Sequence, residues 1–154
     1  MQTKKEAIKI AIDDRGVLLQ LFEMKNNKIS FDGQNYIDLP PIKRIYLVRN
    51  FSKDTIRGMH YHEYEWKYFI VLRGSVKFVI SPTPHISEET KTFVLSEAKP
   101  EVLIVPPGNY NGWIALEDNT SLIGMSNFSL EESLKDDKRI PPDNFLELFK
   151  VKSR

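Results

Sequence analysis

From Lys67 to Ile80 the chain reads KYFIVLRGSVKFVI, two apolar runs of strand length on either side of Arg73-Gly74. The first is apolar on both faces apart from Lys67, the pattern of a strand buried on two sides. Gly74 marks the turn, and Ser75 to Ile80 completes a hairpin. A hairpin of this kind needs further layers to cover it, and the rest of the chain has the same rhythm. Lys5 to Ile12 alternates loosely, and Asp13-Asp14-Arg15-Gly16 is a turn signal. Val17 to Met24 reads as a strand or a short buried helix, which periodicity does not separate. Lys25 to Lys28 is a polar turn. Ile29 to Leu39 holds a hairpin signal at Asp32-Gly33, Pro40-Pro41 breaks any element, and Ile42 to Val48 alternates again. Lys91 to Leu95, Glu101 to Val105, Gly112 to Leu116 and Ser121 to Phe128 follow as strands. Pro106-Pro107-Gly108 and Glu117-Asp118-Asn119 lie between them as turns.

Short strands at regular spacing predict an all-β jelly-roll barrel or sandwich. Only Leu130 to Lys135 and Asp143 to Val151 read as helices. Asp143 is placed to cap the second, whose Phe145, Leu148 and Phe149 share a face. No repeat, linker or low-complexity tract divides residues 1–154, so one domain is expected.

Composition narrows the classes of function. A net charge of +1 gives no nucleic-acid footprint. The absence of cysteine excludes disulfides and thiolate metal sites. No apolar run approaches the ~20 residues that span a bilayer, and MQTKKEAIKI lacks the apolar core of a signal peptide. A soluble cytoplasmic protein without a membrane or nucleic-acid partner is the expectation.

The chemistry gathers in RGMHYHEYEWK, residues 57–67. His60 and His62 are two apart, so on a strand both imidazoles project to one face and Tyr61 to the other. Such a pair can begin a metal site, but its completion is missing. Lys67 stands where an acid would be needed, and Asn111 in PPGNYN stands where a third histidine would be. Glu63 and Glu65 are the nearest carboxylates, and neither a metal nor another cofactor is expected. General acid–base chemistry suits the cluster better. A neutral histidine can take a proton from carbon beside a carbonyl when a cation, here Lys67 or Arg57, stabilises the oxyanion. The plainer alternative is that both histidines are satisfied polar groups of the core. Tyr64, Trp66 and Tyr68 read as packing residues. His85, in the Ser81 to Thr90 loop, reads as a surface residue. Arg73 reads first as a turn residue and second as a phosphate contact.

RGMHYH followed by KYFIVLRGSVKFVI resembles the dTDP-4-dehydrorhamnose 3,5-epimerases, whose hallmark is RGLHYQ and then a lysine opening an apolar strand that ends in RG. DDRG, NFSKDTIRG, VPPGNYNGW and DDKRI agree with the family's flanking motifs, over roughly residues 13 to 143. The resemblance implies a cupin-type jelly roll, usually dimeric. It implies a metal-free isomerase acting on a nucleotide-linked 4-keto-6-deoxy sugar in deoxysugar and cell-surface polysaccharide biosynthesis. In it His60 matches the base, Arg57 a substrate-binding arginine and Lys67 the lysine near the keto oxygen. Asn111 replaces a pocket histidine. Gly124 falls about where the family carries its acid, a tyrosine on the last barrel strand, which leaves Tyr110, Tyr46 or water for that role. The family's base-orienting carboxylate has no clear counterpart here. The chain is also similar to the dTDP-sugar 3,4-ketoisomerases, whose motif RGxHAH matches His60 and His62 and whose pocket tyrosine matches Tyr46. A third reading is a sugar-nucleotide-binding protein that has lost its acid.

Overall fold

Strand β8 (Lys67–Arg73) lies at the middle of one of two facing five-stranded antiparallel sheets. In the computed structural model, which describes residues 1–151, the strands before it are β1 (Lys4–Ala7), β2 (Lys9–Asp13), β3 (Gly16–Gln20), β4 (Glu23–Lys25), β5 (Lys28–Ser30), β6 (Arg44–Asn50) and β7 (Ile56–His62). After it come β9 (Ser75–Ser81), β10 (Lys91–Ser96), β11 (Glu101–Val105), β12 (Asn109–Ala115) and β13 (Thr120–Ser126). Helix α1 (Leu130–Asp136), strand β14 (Asp137–Arg139), a 3-10 turn (Pro142–Phe145) and helix α2 (Leu146–Phe149) complete the described residues. The first sheet runs β1-β11-β8-β13-β6 and the second β10-β9-β12-β7-β14. This is the cupin-type jelly-roll architecture expected from the sequence, with two short C-terminal helices.

Alternation along β8 accounts for its unbroken apolar run. Phe69 and Val71 face the second sheet and pack with its Val76, Phe78 and Trp113 and with Leu103 and Leu122 of their own sheet. Phe69, Phe78 and Trp113 form a ring cluster with centroids 5.0 to 5.7 Å apart. Tyr68 and Ile70 point the other way, under an N-terminal layer that supplies Ile8, Ile29, Phe31 and Leu39. The outer face of the second sheet is covered by Phe145 and Phe149, packed on Met59, Val79 and Ile114.

Several local expectations change. The 17–24 stretch forms no helix but contributes to β3 and β4. The tight hairpin joins β4 to β5 through Asn26 and Asn27, both left-handed (φ 51° and 60°), as a type I′ turn requires. At Asp32-Gly33 the Asp32 carboxylate instead accepts the Gln34 and Asn35 N–H groups, both at 2.8 Å, and only an Ile29–Ile37 bridge closes the loop. Asp143 caps nothing. Pro142 opens a 3-10 turn whose N-cap is Pro141, without a side-chain bond. DDKRI gives β14, paired with β7.

Two surfaces lack cover. The β2–β3 hairpin exposes Ile12, Val17 and Leu18, each more than half accessible. Strand β6 is an unpaired sheet edge with Ile45 and Leu47 turned outward. No helix of the described residues is long and apolar enough to cross a membrane.

Phe145 is fully buried although it lies in the last irregular stretch. Phe145→Ala is expected to cost ~3–5 kcal/mol, as for other large-to-small core changes, read as a lower midpoint in chemical denaturation.

Candidate active site

β6, β8 and β13 run side by side and bring Arg44, Lys67 and Ser126 into register at one end of the first sheet. There β7 of the second sheet delivers His60 and His62. These strands and α1 enclose a cavity of about 340 Å³. Gly58 makes the placement of β7 possible. It sits at φ +117°, and a Cβ there would stand 2.5 Å from the Gly112 Cα of the neighbouring strand.

His60 is about one-third exposed, and its Nδ1 lies 2.9 Å from Asp137 Oδ1. With a carboxylate at Nδ1, the tautomer assigned is Nδ1–H, which leaves Nε2 with a free lone pair. Burial lowers the imidazole's pKa, and the Asp137 contact opposes that shift. The ring is therefore neutral at neutral pH and can act as a base. Asp137 reaches it because α1 runs straight into β14, which pairs with β7 so that Asp137 stands opposite His62, two residues along the strand from His60. A carboxylate thus stands at His60, where the sequence offered no clear counterpart.

His62 is buried, parallel to His60 with ring centroids 6.5 Å apart. Its Nε2 is 3.7 Å from the same Asp137 oxygen, and its Nδ1 is 2.9 Å from Glu65 Oε2. The second of these is ion-pair distance without the alignment of a hydrogen bond. Lys67 places Nζ 3.0 Å from Glu65 Oε1 and Arg44 places Nη2 3.2 Å from the same oxygen. Burial lowers the pKa of Lys67, against the pull of Glu65.

Tyr46 projects from β6 into the cavity and lies across Gly124 on β13, so closely that a Cβ at 124 would collide with its ring and hydroxyl. Burial, then the charge of Glu65, raises the phenol's pKa, with Arg44 opposing. Tyr46 is thus protonated and can donate. Arg44 and Lys67 stand 5.3 and 5.7 Å from its ring centroid, at cation–π distance. Base and phenol come from opposite sheets, with the cavity between them.

Four sequence candidates lie outside the cavity wall. Tyr110 is on the far face of the second sheet, its ring 4.8 Å from Tyr61. From there it cannot pass a proton to a molecule beside His60. Asn111 donates from Nδ2 to the His60 carbonyl at 3.1 Å and so braces the backbone of β7. Arg57 donates from Nε to Asn50 Oδ1 at 2.8 Å. Arg73 closes β8 at the end away from Lys67. The cavity includes residues that pattern reading passed over: Arg44, Arg139 and Asp137, with Leu130, Ser133 and Leu134 on α1. DDKRI carried the only signal for any of them, as a match of motif without a role.

Ligand atoms of His60, His62 and Asp137 lie within 4.8 Å of one another, a two-histidine, one-carboxylate set of the kind that can hold a transition metal. Asp137 is already engaged by His60, and the Lys67 ammonium on the same cavity opposes a second cation.

The sequence profile described as dTDP-4-dehydrorhamnose 3,5-epimerase matches residues 5–137. No curated protein matches the chain. Among solved structures, the fold is similar to the Bacillus anthracis dTDP-4-dehydrorhamnose 3,5-epimerase with TDP and pyrophosphate bound. That pair shares 19% identity over 90% of this chain and 78% of the other, with a TM-score of 0.70. It is also similar to a 3'-monoepimerase of Streptomyces bikiniensis in complex with dTDP-quinovose, at 14% identity, 91% and 70% coverage and TM-score 0.73. A sugar 3,4-ketoisomerase of Thermoanaerobacterium thermosaccharolyticum in complex with TDP gives 23% identity, 95% and 93% coverage and TM-score 0.68.

An NMR titration of the imidazoles checks the electrostatics. The pKa of His60 is expected below 6.5, and Asp137→Asn, which removes the opposing carboxylate, lowers it further by about one unit.

Proposed function

The chain belongs to the dTDP-4-dehydrorhamnose 3,5-epimerase family, and from that premise we propose that it epimerises a nucleotide-linked 4-keto-6-deoxy sugar by removing a proton α to the ketone. The observation that carries this reading is the division of labour across the cavity: the His60–Asp137 pair on one sheet, Lys67 and Tyr46 on the other. Epimerisation needs a base on one face of the sugar ring and an acid on the opposite face.

The steps follow from the charges. Neutral His60 takes the proton at Nε2, and Asp137 stabilises the imidazolium that forms. The electron pair of the broken C–H bond moves onto the ketone oxygen. Lys67 meets that oxyanion with a cation already desolvated, which for a single donor of this kind is worth ~3–4 kcal/mol of barrier. Tyr46 O–H then returns a proton to the same carbon from the other side as the ketone re-forms; the imidazolium of His60 gives its proton to solvent, and solvent reprotonates the phenolate. The dTDP carrier is supported by the structural relatives solved with TDP or a dTDP-sugar. A homodimer is supported by the uncovered apolar hairpin and by the open edge of β6 beside the cavity. We place the reaction in the cytoplasm, in the making of deoxysugars for cell-surface polysaccharide.

The second reading is 3,4-keto migration. The paired histidines favour it, and the match covers 93% of the ketoisomerase chain, against 78% and 70% of the two epimerase chains. Its product would retain configuration at C5 and carry the carbonyl at C3.

Incubation with dTDP-4-keto-6-deoxyglucose in heavy water, followed by NMR, separates these outcomes. Deuterium is expected at C3 or C5 with wild type and not with His60→Ala. Its absence from both samples would overturn the proposal. Tyr46→Phe is expected to keep exchange while inverted product falls ~100-fold, the usual effect of losing a general acid. Chelation by EDTA should leave exchange unchanged. Light scattering should give twice the 17.9 kDa chain mass; a value of one chain mass would overturn the dimer.

A further inference from the structure

Glu65 is not among the residues that line the cavity, yet three basic side chains of the cavity wall, Lys67, Arg44 and His62, converge on it. It follows His62 by three residues and precedes Lys67 by two, in the short connection between β7 and β8, and it is 1% exposed. Oε1 receives the Ser126 hydroxyl, the Lys67 ammonium at 3.0 Å and the Arg44 guanidinium at 3.2 Å. Oε2 receives the Ser133 hydroxyl at 2.7 Å and meets His62 Nδ1 at 2.9 Å. These partners come from β6, β7, β8, β13 and α1. The backbone around Glu65 is held as well: the N–H groups of Glu63, Tyr64 and Glu65 all donate to Asp136 at the end of α1, each at 3.0 Å.

Stability alone is a weak reason for such an arrangement. A buried ion pair gains little over apolar groups of similar volume, because both charges lose their hydration. Positioning is a better one. A lysine has a flexible four-carbon stem, and its ammonium is here held 3.0 Å from Glu65 at the cavity wall. Ser133 ties α1 to the same carboxylate, and the residue after α1 is Asp137, the partner of His60.

We propose that Glu65 is a positioning residue for the reaction, holding Lys67, Arg44 and His62 from behind and joining their placement to the docking of α1. The inference rests on the reading of His60 as base and Lys67 as oxyanion holder. It makes a prediction about pH that a merely structural role does not. Lys67 is faced by Glu65, by Arg44 and Tyr46 from β6, by His62 from β7, by Ser126 from β13 and by Asp137 from β14. Of these, Glu65 is the nearest anion and does most to keep the ammonium protonated against burial. Without it, the pKa of Lys67 falls, and activity that needs the ammonium is lost at a lower pH.

The test is Glu65→Gln, with calorimetric binding of dTDP as the check on folding. The expected result is a kcat lower by ~100-fold, as for loss of a well-placed oxyanion group, with KM little changed. The alkaline limb of the pH–rate profile should move down by about one unit, the shift expected when a paired charge is removed. Nitrogen-15 NMR of the lysine side chains should show the Lys67 titration moving by the same amount, without any turnover. A variant that binds dTDP as wild type does but keeps its rate, or leaves the limb and the Lys67 titration in place, overturns the inference. If Glu65→Gln does not fold, Glu65→Asp, whose shorter side chain draws the charge back from Lys67, decides: a smaller move of the limb in the same direction supports the inference, and an unmoved limb overturns it. Wild type without deuterium exchange would instead overturn the epimerase reading, while the Lys67 titration still decides whether Glu65 sets its charge.

Discussion

Cover on both faces of β8 is the condition on which the rest of the structure depends. Sheet and N-terminal layer together take every side chain from Lys67 to Val71 out of water. Four of those five are apolar and stabilise the sandwich by burial. The fifth is a cation at the mouth of the strand, and it is tolerated only because an anion comes with it. That requirement joins fold and chemistry, since the chain between β7 and β8 is too short to bring anything but its own residues. Glu65 therefore serves both as the counter-charge that lets β8 start with lysine and as the point on which the polar end of the barrel converges.

How much of this was legible in the sequence varies with the range of the interaction. Strand β8, its hairpin with β9 and the spacing of the later strands follow from local pattern, because alternation and turn residues act within a few positions. His60, His62 and Lys67 were legible for the same reason: the period of a strand decides which neighbours share a face. The local signals that misled were those another local interaction overrode. Asp32-Gly33 has the form of a hairpin turn, but its carboxylate turns back onto the chain, and Asp143 follows a proline pair that starts a 3-10 turn instead.

Asp137 and Arg44 belong to a different class. Asp137 is 77 residues from the histidine it contacts, and no periodicity relates the two. Only the pairing of β14 with β7 brings them together. Tyr110 shows the reverse error. It neighbours Asn111 in a motif-like loop, but successive residues of a strand face opposite sides, and Tyr110 is on the side packed against Tyr61. Tyr46 was selected by likeness alone, and its position over Gly124 supplies the physical reason: a bare α-carbon on one strand makes room for a ring from the next.

That contact behaves as a steric either-or. Positions 46 and 124 are direct cross-strand partners, and the floor between them has volume for one phenyl ring. The Tyr46 ring can occupy that volume because position 124 has no side chain at all. The two sites must then change together: enlarging 124 while 46 stays aromatic jams the floor, and shrinking 46 alone opens a hollow. Room at this point of the floor is thus set by two positions together, one on each strand.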